Sequence, residues 1–259
     1  MIKFKLSFLK LLFSACMVLL CTFSFAAKPG YYYQIKIYHI KDINQENTVD
    51  AYLKNAYLPA LHRFGIANVG VFKPIKKDSL EQLIYVYIPV KKMDQLLKLE
   101  EALEKDHQYQ EAGKDYLNAT FNNPPFLRIE NMLLKAFDAM PVPAMPKLSS
   151  PKAERVYELR SYEASTEKLS LNKIAMFNES EISIFSKLDF NAVFYGQVVF
   201  GSKMPNLMYL TTFNNKADRD QHWAAFGPAY KEISGLPQYQ NNVSKNITLF
   251  LYPADYSDF

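Results

Sequence analysis

The feature that most limits what this chain can fold into is a repeat. "YQIKIY" at 33–38 and "YELRSY" at 157–162 lie 124 residues apart and share their Tyr-to-Tyr spacing. At the same offset "LIYVY" at 83–87 lines up with "LMYLT" at 207–211, and Phe64-Gly65-Ile66 with Leu188-Asp189-Phe190. Each of these last segments runs straight into an apolar stretch, "ANVGVF" in one half and "NAVFYGQVV" in the other. A single repeat of this length means two copies of a small domain rather than a solenoid.

Both copies read strand, helix, strand, strand, helix, strand. In the first, 31–38 alternates as a strand, and Val49, Leu53, Ala56, Ala60 and Phe64 then form a helical stripe that Pro59 is expected to kink. Strands near 67–72 and 83–89 precede an amphipathic helix with Met93, Leu96, Leu97 and Leu103 inward, and a last strand lies near 126–134. In the second, a strand at 154–162 leads to a helix carrying Ile174, Phe177, Phe185 and Leu188. Strands near 190–200 and 206–213 follow. Asn215 is a candidate cap for the last helix, which Pro228 is expected to end or bend, and the final strand lies near 246–252. The order β-α-β-β-α-β is the ferredoxin-like unit, which leaves one sheet face bare. Two bare faces in one chain invite mutual burial. The fold class expected is therefore α+β: two tandem ferredoxin-like domains forming a single-chain pseudo-dimeric α/β barrel. The boundaries expected are 27–136 and 154–259, joined by an extended linker at 137–153 with prolines at 141, 143, 146 and 151.

Residues 1–26 stand apart. Lys3, Lys5 and Lys10 precede an apolar run from Leu11 to Leu20, and Ser24 and Ala26 occupy the −3 and −1 positions before Ala27. This is the layout of a secretory signal peptide cut after Ala26, so a secreted or periplasmic location is expected, with no membrane span after cleavage. The run is short for a membrane anchor, and neither Cys16 nor Cys21 sits in a good lipidation context. Cleavage removes both cysteines, which excludes disulfides and thiolate chemistry from the mature chain. It also removes three lysines and lowers the net charge from +4 to +1, so no basic footprint for nucleic acid remains.

The strand at 155–162 poses the functional question. Its two faces are Tyr157/Leu159 and Val156/Glu158/Arg160/Tyr162. Tyr157 and Leu159, with Tyr33, Ile35 and Ile37 in the first copy, are expected to face the helices. Glu158, Arg160 and Tyr162 would then look into the space between the sheets, opposite Gln34, Lys36 and Tyr38. Charges placed there must be paired or solvated. Glu158 and Arg160 therefore either close an internal ion pair or line a polar pocket, and interfaces between domains favour pockets.

"YELRSY", then "LMYLTTF", then "HWAAF" at the last helix together resemble the NIPSNAP domain over about 154–252. The resemblance implies the dimeric α/β-barrel superfamily and little defined chemistry. The first copy departs from it, with Gln34 for Glu, Lys36 for Arg and no Trp matching Trp223.

Other chemistry is sparse. His39, His62, His107 and His222 have no metal-ligand spacing, and Trp223 and Phe226 read as core residues. Superfamily relatives include haem-binding enzymes, but no His falls on the face assigned to the interior; no cofactor is expected, with haem a minor alternative. The leading reading is a small-molecule-binding protein, monomeric or homodimeric. Its candidate ligand-binding residues are Glu158, Arg160, Tyr162, Lys36 and Tyr38, and its catalytic residues are not identified. The alternatives are a cofactor-free oxygenase or isomerase using the same pocket, and an assembly module with a filled interface.

Overall fold

A computed structural model describes residues 30–76 and 82–259, so the proposed signal segment lies outside the described residues. Eight strands are described: β1 (Tyr32–Ile40), β2 (Gly70–Pro74), β3 (Gln82–Val90), β4 (Arg128–Ala136), β5 (Val156–Glu163), β6 (Phe194–Phe200), β7 (Asn206–Phe213) and β8 (Lys245–Pro253). They close into one antiparallel barrel in the order β1-β3-β2-β8-β5-β7-β6-β4. Each half supplies four consecutive strands of it. The halves are stitched by β2 with β8 and by β4 with β6, so no sheet edge remains open. This is the tandem ferredoxin-like α/β barrel that the repeat predicts.

Closure decides which face of each strand looks inward, and it reverses the assignment made from sequence. Tyr33, Ile35 and Ile37 of the first half share one buried cluster with Tyr157, Leu159, Phe194 and Leu251 of the second. That cluster is the barrel interior. Its rings pack directly: Tyr33 to Phe194 at 5.0 Å, Tyr87 to Phe194 at 5.1 Å and Phe72 to Tyr157 at 4.9 Å between centroids. Burial of each ring contributes about 1.5–3 kcal/mol. The interior is therefore packed with side chains where a space between two sheets was expected. Glu158, Arg160 and Tyr162 lie on the outer, helix-covered face, and so do Lys36 and Tyr38.

The helices are α1 (Ile43–Tyr52), α2 (Leu58–Arg63), α3 (Met93–Lys105), α4 (His107–Ala112), α5 (Lys114–Leu117), α6 (Glu167–Met176), α7 (Ile182–Lys187) and α8 (Lys216–Ser234). α1 and α2 form one rod through a π turn at Leu53–Tyr57, and α6 and α7 do the same through Phe177–Glu181. In both, the N–H after the turn reaches five residues back, Leu58 to Leu53 and Ile182 to Phe177. Pro59 lies just after the π turn, and the rod continues past it. Both rods end on a left-handed residue, Gly65 (φ 86°) and Asp189 (φ 53°), which explains that part of the repeat. Asn215 caps α8 as expected, accepting from Asp218 N at 2.9 Å. α8 runs through Pro228 instead of stopping there. The prolyl segment between the halves is held against the second: Ala144 N donates to Val193 O and Ser149 N to Asn214 Oδ1.

Candidate functional site

β5 carries Glu158, Arg160 and Tyr162 on one face because its side chains alternate, and α8 covers that face. Glu158 is fully buried. A buried carboxylate persists only with partners, and this one has three. Its Oε1 accepts from Arg160 Nε at 2.6 Å and from Arg219 Nη2 at 3.1 Å. Its Oε2 accepts from Arg219 Nε at 2.6 Å and from Trp223 Nε1 at 2.9 Å. Arg219 and Trp223 sit one turn apart on α8, so both reach the same carboxylate. Glu158 thus ties the last helix to the sheet.

Arg160 is fixed by this arrangement. Its guanidinium lies over Trp223, with Cζ 3.9 Å from the ring centroid. Nε is held by Glu158, and Nη1 donates to the Tyr162 hydroxyl at 3.2 Å. That hydroxyl pairs with Tyr209 Oη at 2.8 Å. Nη2 makes no hydrogen bond to the described residues. A planar fork stacked on an aromatic, with one end unspent, is a pre-oriented anion or carbonyl donor.

A second ion pair faces it. Lys173 of α6 donates to Glu181, the last residue of the π turn, and to Tyr230 Oη at 3.1 Å. Both Lys173 and Glu181 are buried. Burial raises the Glu181 pKa, and the ammonium of Lys173 opposes that rise. Tyr230 is pushed up to about 12 by burial and by the charge on Glu181. Arg160, Tyr162, Lys173, Glu181, Trp223 and Tyr230 line a cavity of about 560 Å³ between the barrel wall and the helices of the second half. Around it, Arg160, Arg219 and Lys173 face Glu158 and Glu181, a surplus of one positive charge. The exposed pair Lys216–Asp220 leaves that balance unchanged. None of the lining residues is a histidine or cysteine, so the wall supplies neither of these ligands for a haem iron.

The same place in the first half is closed. Lys36 and Tyr38 correspond to Arg160 and Tyr162, but they lie under the helices of their own half and do not form the opposite wall of this cavity. Tyr116 stacks on Tyr52 at 3.7 Å, and Tyr52 Oη pairs with Tyr109 Oη at 2.9 Å. Tyr109 and Tyr116 come from α4 and α5, the two short helices that follow α3 where the second half has the single long α8.

Of the residues singled out from sequence, Arg160 and Tyr162 line the cavity and Glu158 is spent behind it. The sequence pattern of the second half alone does not point to Lys173, Glu181, Arg219 or Tyr230, and Trp223, which reads as core, also lines the cavity. A signal for two of them lay in the repeat. Lys173 and Glu181 stand where the first copy has Val49 and Tyr57, charges in a stripe that is otherwise buried and uncharged.

Comparison with known proteins agrees with this architecture. The NIPSNAP family model matches residues 157–258. A monooxygenase-like protein from Lactobacillus acidophilus NCFM shares the fold at TM-score 0.54 and 10% identity, over 86% of this chain and 94% of its own. An anthrone oxidase-like protein superposes at TM-score 0.50 and 10% identity, over 88% and 93%. A NIPSNAP family protein of unknown function from Agrobacterium tumefaciens C58 matches 43% of this chain and 98% of its own, at 16% identity and TM-score 0.37. No curated protein sequence matches the chain.

Proposed function

Starting from a chain whose residues 157–258 match the NIPSNAP family model, we propose that it binds a small anionic or carbonyl-bearing molecule in the cavity beneath α8. Arg160 is the recognition group. The observation that supports this most is the unspent Nη2 of a guanidinium already locked by Glu158, Tyr162 and Trp223, in a site with one surplus positive charge. A locked donor loses little entropy on binding. The aromatic wall of Tyr162, Trp223 and Tyr230 suits a planar body on that polar head. The closed first half argues for one ligand per chain. The amino-terminal sequence supports action after export, as a secreted or periplasmic protein.

Glu181 favours a second reading, an enzyme of the cofactor-free oxygenase or isomerase type. A carboxyl held above its usual range beside Lys173 and Tyr230 in a cavity is suited to moving a proton on or off a bound ligand.

Native mass spectrometry of the protein as purified tests the binding reading. The wild type is expected to carry a substoichiometric or equimolar adduct that Arg160→Gln loses while remaining folded. An adduct retained equally by Arg160→Gln would remove Arg160 from the site. Failure of the wild type to retain or take up any anion from a panel of aromatic and aliphatic carboxylates would remove the ligand.

A further inference from the structure

The face that α8 turns to the Arg160 cavity carries Trp223, Phe226, Gly227 and Tyr230. The spacing i, i+3, i+4, i+7 is one stripe of a helix. Three of the four are aromatic and pack in series, Trp223 to Phe226 at 5.2 Å and Phe226 to Tyr230 at 5.1 Å between centroids. Gly227 is the gap in that stripe. It lies about one turn beyond Trp223, the ring on which the Arg160 guanidinium rests. A Cβ at Gly227 would meet no atom within 4 Å beyond its own stretch of helix and its chain neighbours, whereas one at Gly196, in β6, would press on Leu134 Cβ at 3.0 Å. Tertiary packing therefore does not require the glycine, and glycine inside a helix costs stability relative to alanine. The local alternative is Pro228, whose ring crowds the residue before it. Of the residues that line the cavity, Gly227, Asn241 and Asn246 are the exposed ones, so these three mark its mouth. The side-chain amides of Asn241 and Asn246 make no hydrogen bond among the described residues.

Taking Arg160 as the recognition group, we propose that Gly227 is the size filter of this cavity, and that its ligand is an elongated aromatic acid or ketone with a second polar group at its far end. The head accepts from the free Nη2 of Arg160. The first ring lies along the aromatic stripe of α8, and the remainder leaves over Gly227, where a flat body can approach the helix backbone. A side chain at this position would stand in that path. At the mouth, the asparagine amides offer both donors and acceptors to a hydroxyl or carbonyl on the far end. A one-ring acid stays between Arg160 and the mouth and is indifferent to residue 227.

Isothermal titration of the whole protein with benzoate and with a hydroxybiphenyl carboxylate, whose polar groups stand at opposite ends, reads this directly. The wild type is expected to bind the longer acid more tightly. Gly227→Leu is expected to weaken the longer acid about tenfold or more and benzoate by less than about twofold. Gly227→Ala should move the ratio of the two affinities the same way by a smaller factor. That ratio does not depend on the fraction of protein folded, so a destabilised variant cannot imitate the effect. A ratio unchanged in both variants overturns the filter and leaves the glycine to Pro228. So does a wild type that binds benzoate but not the longer acid. The Gly227→Ala ratio decides if Gly227→Leu does not fold. Binding of neither acid by the wild type, or binding that Arg160→Gln leaves unchanged, removes Arg160 as the recognition group and the role of Gly227 with it.

Discussion

Replacing Glu158 with Gln tests whether the "YELR" carboxylate is the tie between sheet and helix described above. The substitution preserves volume and one acceptor oxygen but removes the charge that holds two guanidiniums. Arg160 and Arg219 keep only 13% and 16% of their side-chain surface exposed, so water offers them little compensation. Removing one partner from a buried ion pair costs about 3–5 kcal/mol. The partial exposure of both arginines places the expected loss near the lower end, about 3 kcal/mol. For a chain of this size that is roughly 6–12 °C in Tm. Urea denaturation followed by the fluorescence of Trp223, the sole tryptophan, reports from the site itself. Double-mutant cycles with Arg160→Met and with Arg219→Met should each return part of the loss as coupling energy, because each double variant removes one of the two guanidiniums that Glu158 pairs. A loss below about 1 kcal/mol, in the range of exposed pairs, would refute the reasoning and return Glu158 to the candidates for ligand contact.

Three other outcomes follow from the same geometry. Tyr33 and Tyr87 bury hydroxyls without a partner among the described residues, so Tyr33→Phe and Tyr87→Phe should each be neutral or stabilising by up to about 1 kcal/mol, whereas Tyr162→Phe, which breaks two bonds, should lose about 1 kcal/mol in the same urea assay. Glu181 has a folded pKa raised above 4.5, so its protonated form favours the folded state. The stability of the wild type relative to Glu181→Gln should therefore be greatest below pH 4.5 and fall as pH rises through the folded value, which thermal melts at several pH values will show. Intact mass of the protein exported by a secreting host should begin at Ala27; a retained Met1 would argue against processing at that site.

Much of the architecture was legible because a repeat constrains topology more strongly than any single element. Two copies of a six-element unit with one bare sheet face each have few ways to bury those faces, and the closed barrel is one. The Glu158–Arg160 pair was also legible, since residues two apart on a strand share a face. The alignment of the copies held for the first strand and the helix end but slipped by one at the third strand. Lys36 pairs with Val86 and Arg160 with Tyr209, an offset of 123 there, and one residue is enough to exchange the faces of a strand.

What the sequence by itself determined was the unit, its duplication, the caps and the alternation that separates the two faces of β5. What only the tertiary structure decided was which face is inside. In a closed barrel wrapped by helices, both faces of a strand are buried, one against the opposite wall and one against a helix. Hydrophobicity then separates the faces without ranking them. Glu158 settled the matter through partners 61 and 65 residues away, Arg219 and Trp223. The cavity likewise needed a π turn to bring Glu181 beside Lys173, a widening that residue spacing does not announce. It also needed the absence of the tyrosines that fill the first half. These are properties of long-range packing, and local pattern does not carry them.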